Sequence, residues 1–291
     1  MTDPRVFLVT GSSRGLGRAV AEAVLTAGHR LVATARTPAQ LDDLVGGHPD
    51  RALAVPLDVT DPDAARAAVR AGVERFGRLD VVVNNAGYAD LASVEDVTDA
   101  DFRAQLDTNL LGVVNVTKAA LPVLRAQGGG HVIQVSSVGG RVATVGLSAY
   151  QAAKWAVGGF SEVLAQEVGP LGIRVTVLEP GGMRTGWGGS SMSVPAPSGP
   201  YRETVGRFAE MTRANNAAAA GDPDKVAAVV LRVAAMADPP LRLLLGSDAV
   251  TIAGAIERRR AEADARWREL SLSTDHEDWE PARLEALAAL L

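Results

Sequence analysis

Short apolar runs alternate along the chain with longer, Ala-rich stretches of helical length. The runs predict strands over Val6–Thr10, Leu31–Ala35, Ala52–Leu57, Leu79–Asn84, His131–Ser136, Arg174–Leu178 and Leu241–Gly246. Several are nearly continuous Val, Leu and Ile, which suits parallel strands buried on both faces. The stretches between them predict helices over Gly17–Ala27, Pro62–Phe76, Asp101–Gln127, Ser148–Gly169 and Pro223–Ala237. Repeated strand–helix alternation is the pattern of an α/β fold, a doubly wound parallel sheet of about seven strands with helices on both faces. One continuous series leaves no internal boundary, so residues 1–250 read as a single domain and 251–291 as a helical C-terminal extension.

Two segments depart from the pattern. Thr185–Pro200 is rich in Gly, Ser and Pro and reads as a loop, a candidate lid within a segment spanning about 183–215. Met183, Trp187, Met192, Tyr201 and Phe208 are its candidate pocket-lining residues, or ordinary core contacts. The tail beyond Ala253 is charged and helical, with Ile256, Ala263, Trp267 and Leu270 as contact positions, and a second short helix is expected over Pro281–Leu291.

Composition narrows the classes. At 47% hydrophobic and 22% charged over 291 residues, the chain is an ordinary globular sequence able to bury a large core. It has no cysteine, which excludes disulfides, thiolate metal sites and thiol chemistry; no metal is expected. A net charge of −5 argues against a broad grip on nucleic acid. The first residues do not read as a signal peptide, and no apolar stretch reaches the roughly 18–20 residues of a membrane span. A cytoplasmic protein that binds neither nucleic acid nor membrane is expected.

The first strand runs into Thr10-Gly11-Ser12-Ser13-Arg14-Gly15-Leu16-Gly17, and a helix follows. Gly11 suits a tight turn, Gly15 lets a pyrophosphate approach the backbone, and Gly17 lets the helix pack close to the strand. Free N–H groups from Ser13 to Gly17 would face the anion at the helix start. A Gly-rich turn alone can be only a turn; the strand before it and the helix after it favour a dinucleotide. The second strand ends Ala33-Thr34-Ala35-Arg36, without the carboxylate that would hold a ribose 2′-hydroxyl. Arg36, with Arg14 opposite, could instead bond a 2′-phosphate, which favours NADP(H); otherwise both are solvated surface arginines. Asp58-Val59 after the third strand could receive the adenine amino group. Asn84-Asn85-Ala86-Gly87 after the fourth could pass close to a ribose, and both are also ordinary turn sequences.

Tyr150 and Lys154 are four apart on one face of a helix. A nearby ammonium favours the phenolate, and a lowering of two to three units corresponds to roughly 3–4 kcal/mol. Such a phenol could exchange a proton with a nascent alkoxide. The same spacing also occurs on exposed helices with no chemistry.

With Thr10–Gly17, Asp58-Val59, Asn84–Gly87, Asn109, Ser137, Tyr150-x-x-x-Lys154 and Pro180-Gly181 leading to Thr185, the chain resembles the short-chain dehydrogenase/reductase family over residues 5 to about 250. The resemblance implies a Rossmann-type fold and hydride transfer between NADP(H) and a ketone or aldehyde and its alcohol. It implies Tyr150 as general acid/base, Lys154 holding the nicotinamide ribose and tuning Tyr150, and Ser137 bonding the substrate oxygen. Ser136 is the alternative to Ser137, which has the family's usual spacing to the Tyr. Asn109 would hold a water leading from Lys154, or else kink its helix. Pro180 and Gly181 would lie beside the nicotinamide, and Thr185 would bond its carboxamide. A small carbonyl substrate and a homo-oligomer, dimer or tetramer, follow from the same resemblance, and Met183, Trp187, Met192, Tyr201 and Phe208 suggest that the substrate is apolar or aromatic. The C-terminal extension exceeds the family average and puts the usual tetramer in doubt. It would cover the pocket, remodel an interface, or pack as a solvated hairpin. A non-catalytic NADP(H) sensor or scaffold is the alternative of another class, disfavoured by the intact Tyr and Lys. A nucleotide-sugar epimerase is disfavoured by the Gly spacing.

Overall fold

The computed structural model describes residues 3–184, 192–215, 219–276 and 279. Seven parallel strands form one sheet: β1 (Val6–Val9), β2 (Arg30–Ala35), β3 (Ala52–Pro56), β4 (Val81–Asn84), β6 (Gly130–Val135), β7 (Ile173–Pro180) and β9 (Arg242–Leu245). A separate parallel pair joins β5 (Ala89–Asp90) to β8 (Met192–Ser193). The helices are α1 (Gly15–Thr26), α2 (Asp42–Gly46), α3 (Pro62–Phe76), α4 (Asp99–Leu106), α5 (Gly112–Ala126), α6 (Ser148–Val168), α7 (Arg207–Asn215), α8 (Pro223–Ala235), α9 (Ser247–Arg266) and α10 (Arg268–Leu272). Each strand expected from the sequence is present within a few residues of its expected bounds.

Both faces of the sheet are covered, which is why its strands carry almost no polar alternation. Phe7 and Val9 of β1 point to one core, with Val20 and Val24 of α1 and Val230 of α8. Val6 and Leu8 point to the other, with Val69 of α3, Leu124 of α5 and Leu164 of α6. The two directions are the period-2 alternation of a strand, hidden in sequence because both sides are apolar.

The sheet order is β3-β2-β1-β4-β6-β7-β9. The chain winds outward from β1 to β3 and returns to β4 on the other side of β1. The strand order therefore reverses between β1 and β4, and a crevice opens at their C-terminal ends, where ligands bind in sheets of this kind.

The helix boundaries follow local chemistry. Asp61 accepts from the N–H groups of Asp63 and Ala64, Pro62 opens α3, and Gly77 ends it at φ 78°. The single helix expected over Asp101–Gln127 is in fact α4 and α5 joined by a π-helical turn at Asp107–Leu111. The reason is the buried Asn109, whose Nδ2 donates to the Gln105 carbonyl at 2.9 Å and so competes with the backbone ladder.

By compactness the chain divides into two units, Met1–Ile252 and Ala253–Leu291. In the second, Ile256 is partly covered, whereas Ala263, Trp267 and Leu270 are exposed. The helix expected over Pro281–Leu291 lies outside the described residues. Among the described residues, no helix is long and apolar enough to cross a membrane.

Candidate active site

The Gly-rich turn leaves β1 and enters α1. Gly11 and Gly15 take φ of 69° and 57°, a region that side chains with a Cβ rarely enter. A Cβ at Gly17 would run into the Gly11 carbonyl oxygen and the Asn85 amide, so only glycine allows this approach. Arg14 occupies the cap position of α1 in an extended conformation with no side-chain cap, and the first turn carries no acid. The α1 N-terminus therefore keeps donors and positive dipole for an anion. Thr10 ties the turn to the next motif. Its Oγ1 accepts from the N–H groups of Asn85 and Ala86, both at 2.9 Å, and Asn85 Nδ2 donates to the Thr10 carbonyl at 2.9 Å.

Arg36 follows β2 and is exposed, as is Arg14. Neither guanidinium forms a hydrogen bond or ion pair among the described residues. Asp58 is held by Thr60, whose N–H and hydroxyl donate to its Oδ1 at 3.0 and 2.7 Å. Those bonds, and then the field of Arg36, hold its carboxyl below the usual carboxylate range. The carbonyl of the buried Val59 receives the Asn115 amide at 3.0 Å. Glycine-only construction at positions 11, 15 and 17, with an uncapped helix start beside them, fits the pyrophosphate of a dinucleotide.

Tyr150 and Lys154 lie on α6, only 7% and 4% exposed. The structure separates the two candidate serines. Ser136 turns its hydroxyl to the Lys154 carbonyl at 3.2 Å. Ser137 stands in extended backbone after β6, receives the Gly139 N–H at 3.0 Å, and shares a hydrogen bond with the Tyr150 phenol. Lys154 Nζ donates to the Val135 carbonyl at 2.8 Å and lies 5.6 Å from the Tyr150 ring centroid. Asn109 uses its side chain on Tyr88, accepting the N–H at 3.2 Å and donating to the carbonyl at 2.9 Å. Gly87 passes so close that a Cβ there would come within 2.6 Å of Asn109 Oδ1.

Burial dominates the charges here. The Tyr150 phenol is pushed up to about 12 by burial, with the Ser137 hydrogen bond pulling the other way. Lys154 is pushed down to about 8 by burial. A phenol already lowered by the ammonium, as the spacing suggests, is not what the protein's own groups produce.

Pro180 ends β7 and Gly181 follows it. The Pro180 carbonyl accepts the Ser137 hydroxyl at 3.5 Å, and the Gly181 N–H donates to Leu245 at 2.9 Å. Thr185 and Trp187 lie outside the described residues. Of the other expected pocket residues, Met192, Tyr201 and Phe208 gather with Leu91, Leu147, Val205 and Tyr150 in a third apolar cluster. Met183 does not; it packs against the main core beside α1 and α8, because its bridge to Gly221 turns it inward.

The family model for short chain dehydrogenase matches residues 5–193, which contain Gly11, Asn85, Ser137, Tyr150 and Lys154. The chain belongs to the short-chain dehydrogenase family. This short-chain dehydrogenase is 55% identical over 271 residues to the oxidoreductase BOA17 of Botryotinia fuckeliana, covering 93% of this chain and 99% of that one. It is 40% identical to the crystal structure of a short-chain dehydrogenase from Streptomyces avermitilis, with a TM-score of 0.86 over 93% of this chain and 100% of that one. An alcohol dehydrogenase from Thermococcus sibiricus, solved with 5-hydroxy-NADP, is 26% identical, with a TM-score of 0.69 over 84% and 97% of the two chains. The short-chain dehydrogenase reading makes the chain an oxidoreductase that acts by hydride transfer.

Sequence reasoning missed three charged residues near this centre: Arg141, Glu179 and Arg242. Their partners are far apart in sequence, so no local pattern marks them. It also missed Asn115, which holds the Val59 carbonyl across 56 positions.

Proposed function

We propose that the chain is an NADP(H)-dependent carbonyl reductase or alcohol dehydrogenase, with a small and largely apolar ketone or aldehyde as substrate. The observation that carries this reading is the hydrogen bond between the half-buried Ser137, just after β6, and the buried Tyr150, with the buried Lys154 one turn further along α6. When bound, the nicotinamide supplies the hydride to the carbonyl carbon, or takes it in the reverse direction. Tyr150 gives its proton to the carbonyl oxygen as that oxygen becomes an alkoxide, and retrieves it in oxidation. Ser137 donates a hydrogen bond to the same oxygen where the charge develops. Lys154, pushed down to about 8 by burial, holds the ribose hydroxyls and favours the phenolate when it is protonated. Asn109 orders the route from Lys154 to solvent.

Ser13 to Gly17 hold the pyrophosphate, and Asp58 and Val59 hold the adenine. Asn85 to Gly87 flank a ribose, with Pro180 and Gly181 at the nicotinamide. The choice of NADP(H) rests on Arg14 and Arg36, two exposed guanidiniums without a partner among the described residues, and on the absence of an acid after β2. The alcohol dehydrogenase of Thermococcus sibiricus, solved with 5-hydroxy-NADP, supports a nicotinamide dinucleotide, and other solved neighbours hold NADH or NAD. The apolar substrate class rests on Leu91, Leu147 and Met192, which cluster around Tyr150. Residues 1–250 form the catalytic domain in this reading and 251–291 an appendage. A homo-oligomer rests on family resemblance alone.

A panel of aryl, cyclic and β-keto ester ketones, followed by NADPH absorbance, tests the reaction class. Tyr150→Phe should bind NADPH as the parent does and lose nearly all turnover, a factor of about 10²–10⁴ or more, the usual size of a general-acid contribution. An unchanged kcat in that variant removes the reading.

A further inference from the structure

Behind the proton-transfer centre lies a chain of four charges. Glu179, the penultimate residue of β7, is fully buried. Its Oε2 accepts from Arg141 Nε at 2.8 Å and pairs with the other arm of that guanidinium at 2.6 Å. Its Oε1 accepts from Arg242 of β9, at 3.1 Å from Nε and 2.5 Å from Nη2. Arg242 reaches on with Nη1 to Glu162 of α6 at 2.7 Å. Gly158 makes room for this: a Cβ there would come within 3.0 Å of the Arg242 guanidinium.

A buried carboxylate held by two forks is costly to assemble, since each ion gives up its water. A surface pair would not require such a construction. Its members sit on the pieces that must be kept in register. Arg141 directly follows the 3₁₀ turn Val138–Gly140, which Ser137 caps. Glu179 precedes Pro180, whose carbonyl accepts the Ser137 hydroxyl. Glu162 is on the helix that carries Tyr150 and Lys154.

We propose that Arg141 is a positioning residue: through Glu179 it fixes the turn that carries Ser137 against the end of β7, and so holds the Ser137 hydroxyl on Tyr150. Arg141 touches neither substrate nor dinucleotide in this assignment. The inference rests on the carbonyl-reductase reading above, because it gives Ser137 and Tyr150 their roles.

The test uses the full chain, NADPH, and the panel ketone turned over fastest. Arg141→Met leaves Glu179 paired with Arg242, so no buried charge is stranded. It should lower kcat about tenfold to a hundredfold, the cost of misplacing a reacting group by about 1 Å, with NADPH Kd and ketone KM unchanged. Arg141→Lys keeps the charge and loses the planar fork, and should recover part of kcat. That intermediate value is readable even if the methionine variant fails to fold. The proposal is overturned by a parent-like kcat in folded Arg141→Met, by a loss explained by the unfolded fraction, or by Lys and Met variants that fold and are equally impaired. A parent-like kcat in Tyr150→Phe is a separate result, which removes the reaction assignment and leaves the contacts of Arg141 as they are.

Discussion

At the Gly-rich turn the chain builds its site from backbone, glycines and one threonine hydroxyl; at the proposed proton-transfer centre it builds mostly from buried side chains. The first region spends almost no charge. Arg14 within the turn and Arg36 after β2 turn outward and are exposed, and the turn itself is shaped by what lacks a Cβ. The second region places a phenol, an ammonium and a carboxylate out of water, and each has been given a partner. A site for a fixed anion needs donors in a fixed shape, which backbone supplies with little loss of freedom. A site that moves a proton needs groups whose ionisation can change, and burial is what moves those ionisations.

The contrast breaks most severely at Gly17. If backbone approach carries the turn, Gly17→Val should cost more than ~3 kcal/mol, because its Cβ meets the Gly11 carbonyl, which as backbone cannot swing aside. Thermal unfolding and an NADPH fluorescence titration should both show the loss, and a parent-like melting temperature with parent-like affinity would show that the close approach is dispensable.

His131 sharpens the contrast from outside both regions. It lies at the start of β6, away from Ser137 at the other end of that strand, and its Nε2 meets the Thr176 hydroxyl at 3.0 Å. Burial first, then Arg174 and Arg5, push it down from 6.5 to about 4. The unfolded chain therefore takes the proton first. The stability this group allows is fully present above about 6.5 and is lost as the pH falls to about 4, a change of about 3 kcal/mol. His131→Gln cannot take that proton and should flatten the slope of stability over this window while leaving kcat unchanged. Denaturant titrations at pH 4, 5.5 and 7 check it; equal slopes in parent and variant would place the acid sensitivity elsewhere.

Arg36→Asp has the smallest expected effect. Exposed charge acts through screened water, so the ratio of kcat/KM for NADPH over NADH should fall about tenfold, or ~1.4 kcal/mol. A ratio that does not move rejects the 2′-phosphate contact.

The two regions were not equally legible in the sequence. The turn at Gly11, Gly15 and Gly17 is contiguous, and the residues around it announce a strand and a helix. Tyr150 and Lys154 are one helical turn apart, so their shared face could be read directly. Ser137 against Ser136 could be chosen by family spacing, but what distinguishes them physically is that Ser136 spends its hydroxyl on the Lys154 carbonyl. The break of the long helix at Asp107–Leu111 was legible only as one of two readings of Asn109, because it depends on a side chain taking a carbonyl from the helix once Asn109 is buried. Met183 looked like a pocket residue by position, and its bridge to Gly221 sends it to the core.

From the sequence alone come the parallel sheet, the Gly-rich turn and the Tyr–Lys pair, since each rests on period, residue type or spacing within one element or across one connection. The tertiary structure alone decided which serine meets the phenol, how far burial pushes Tyr150 and Lys154, and that Arg141, Glu179, Arg242 and Glu162 form one chain of charges. Those outcomes depend on solvent exclusion and on contacts between strands and helices distant in the chain. Neither quantity exists until the sheet has closed.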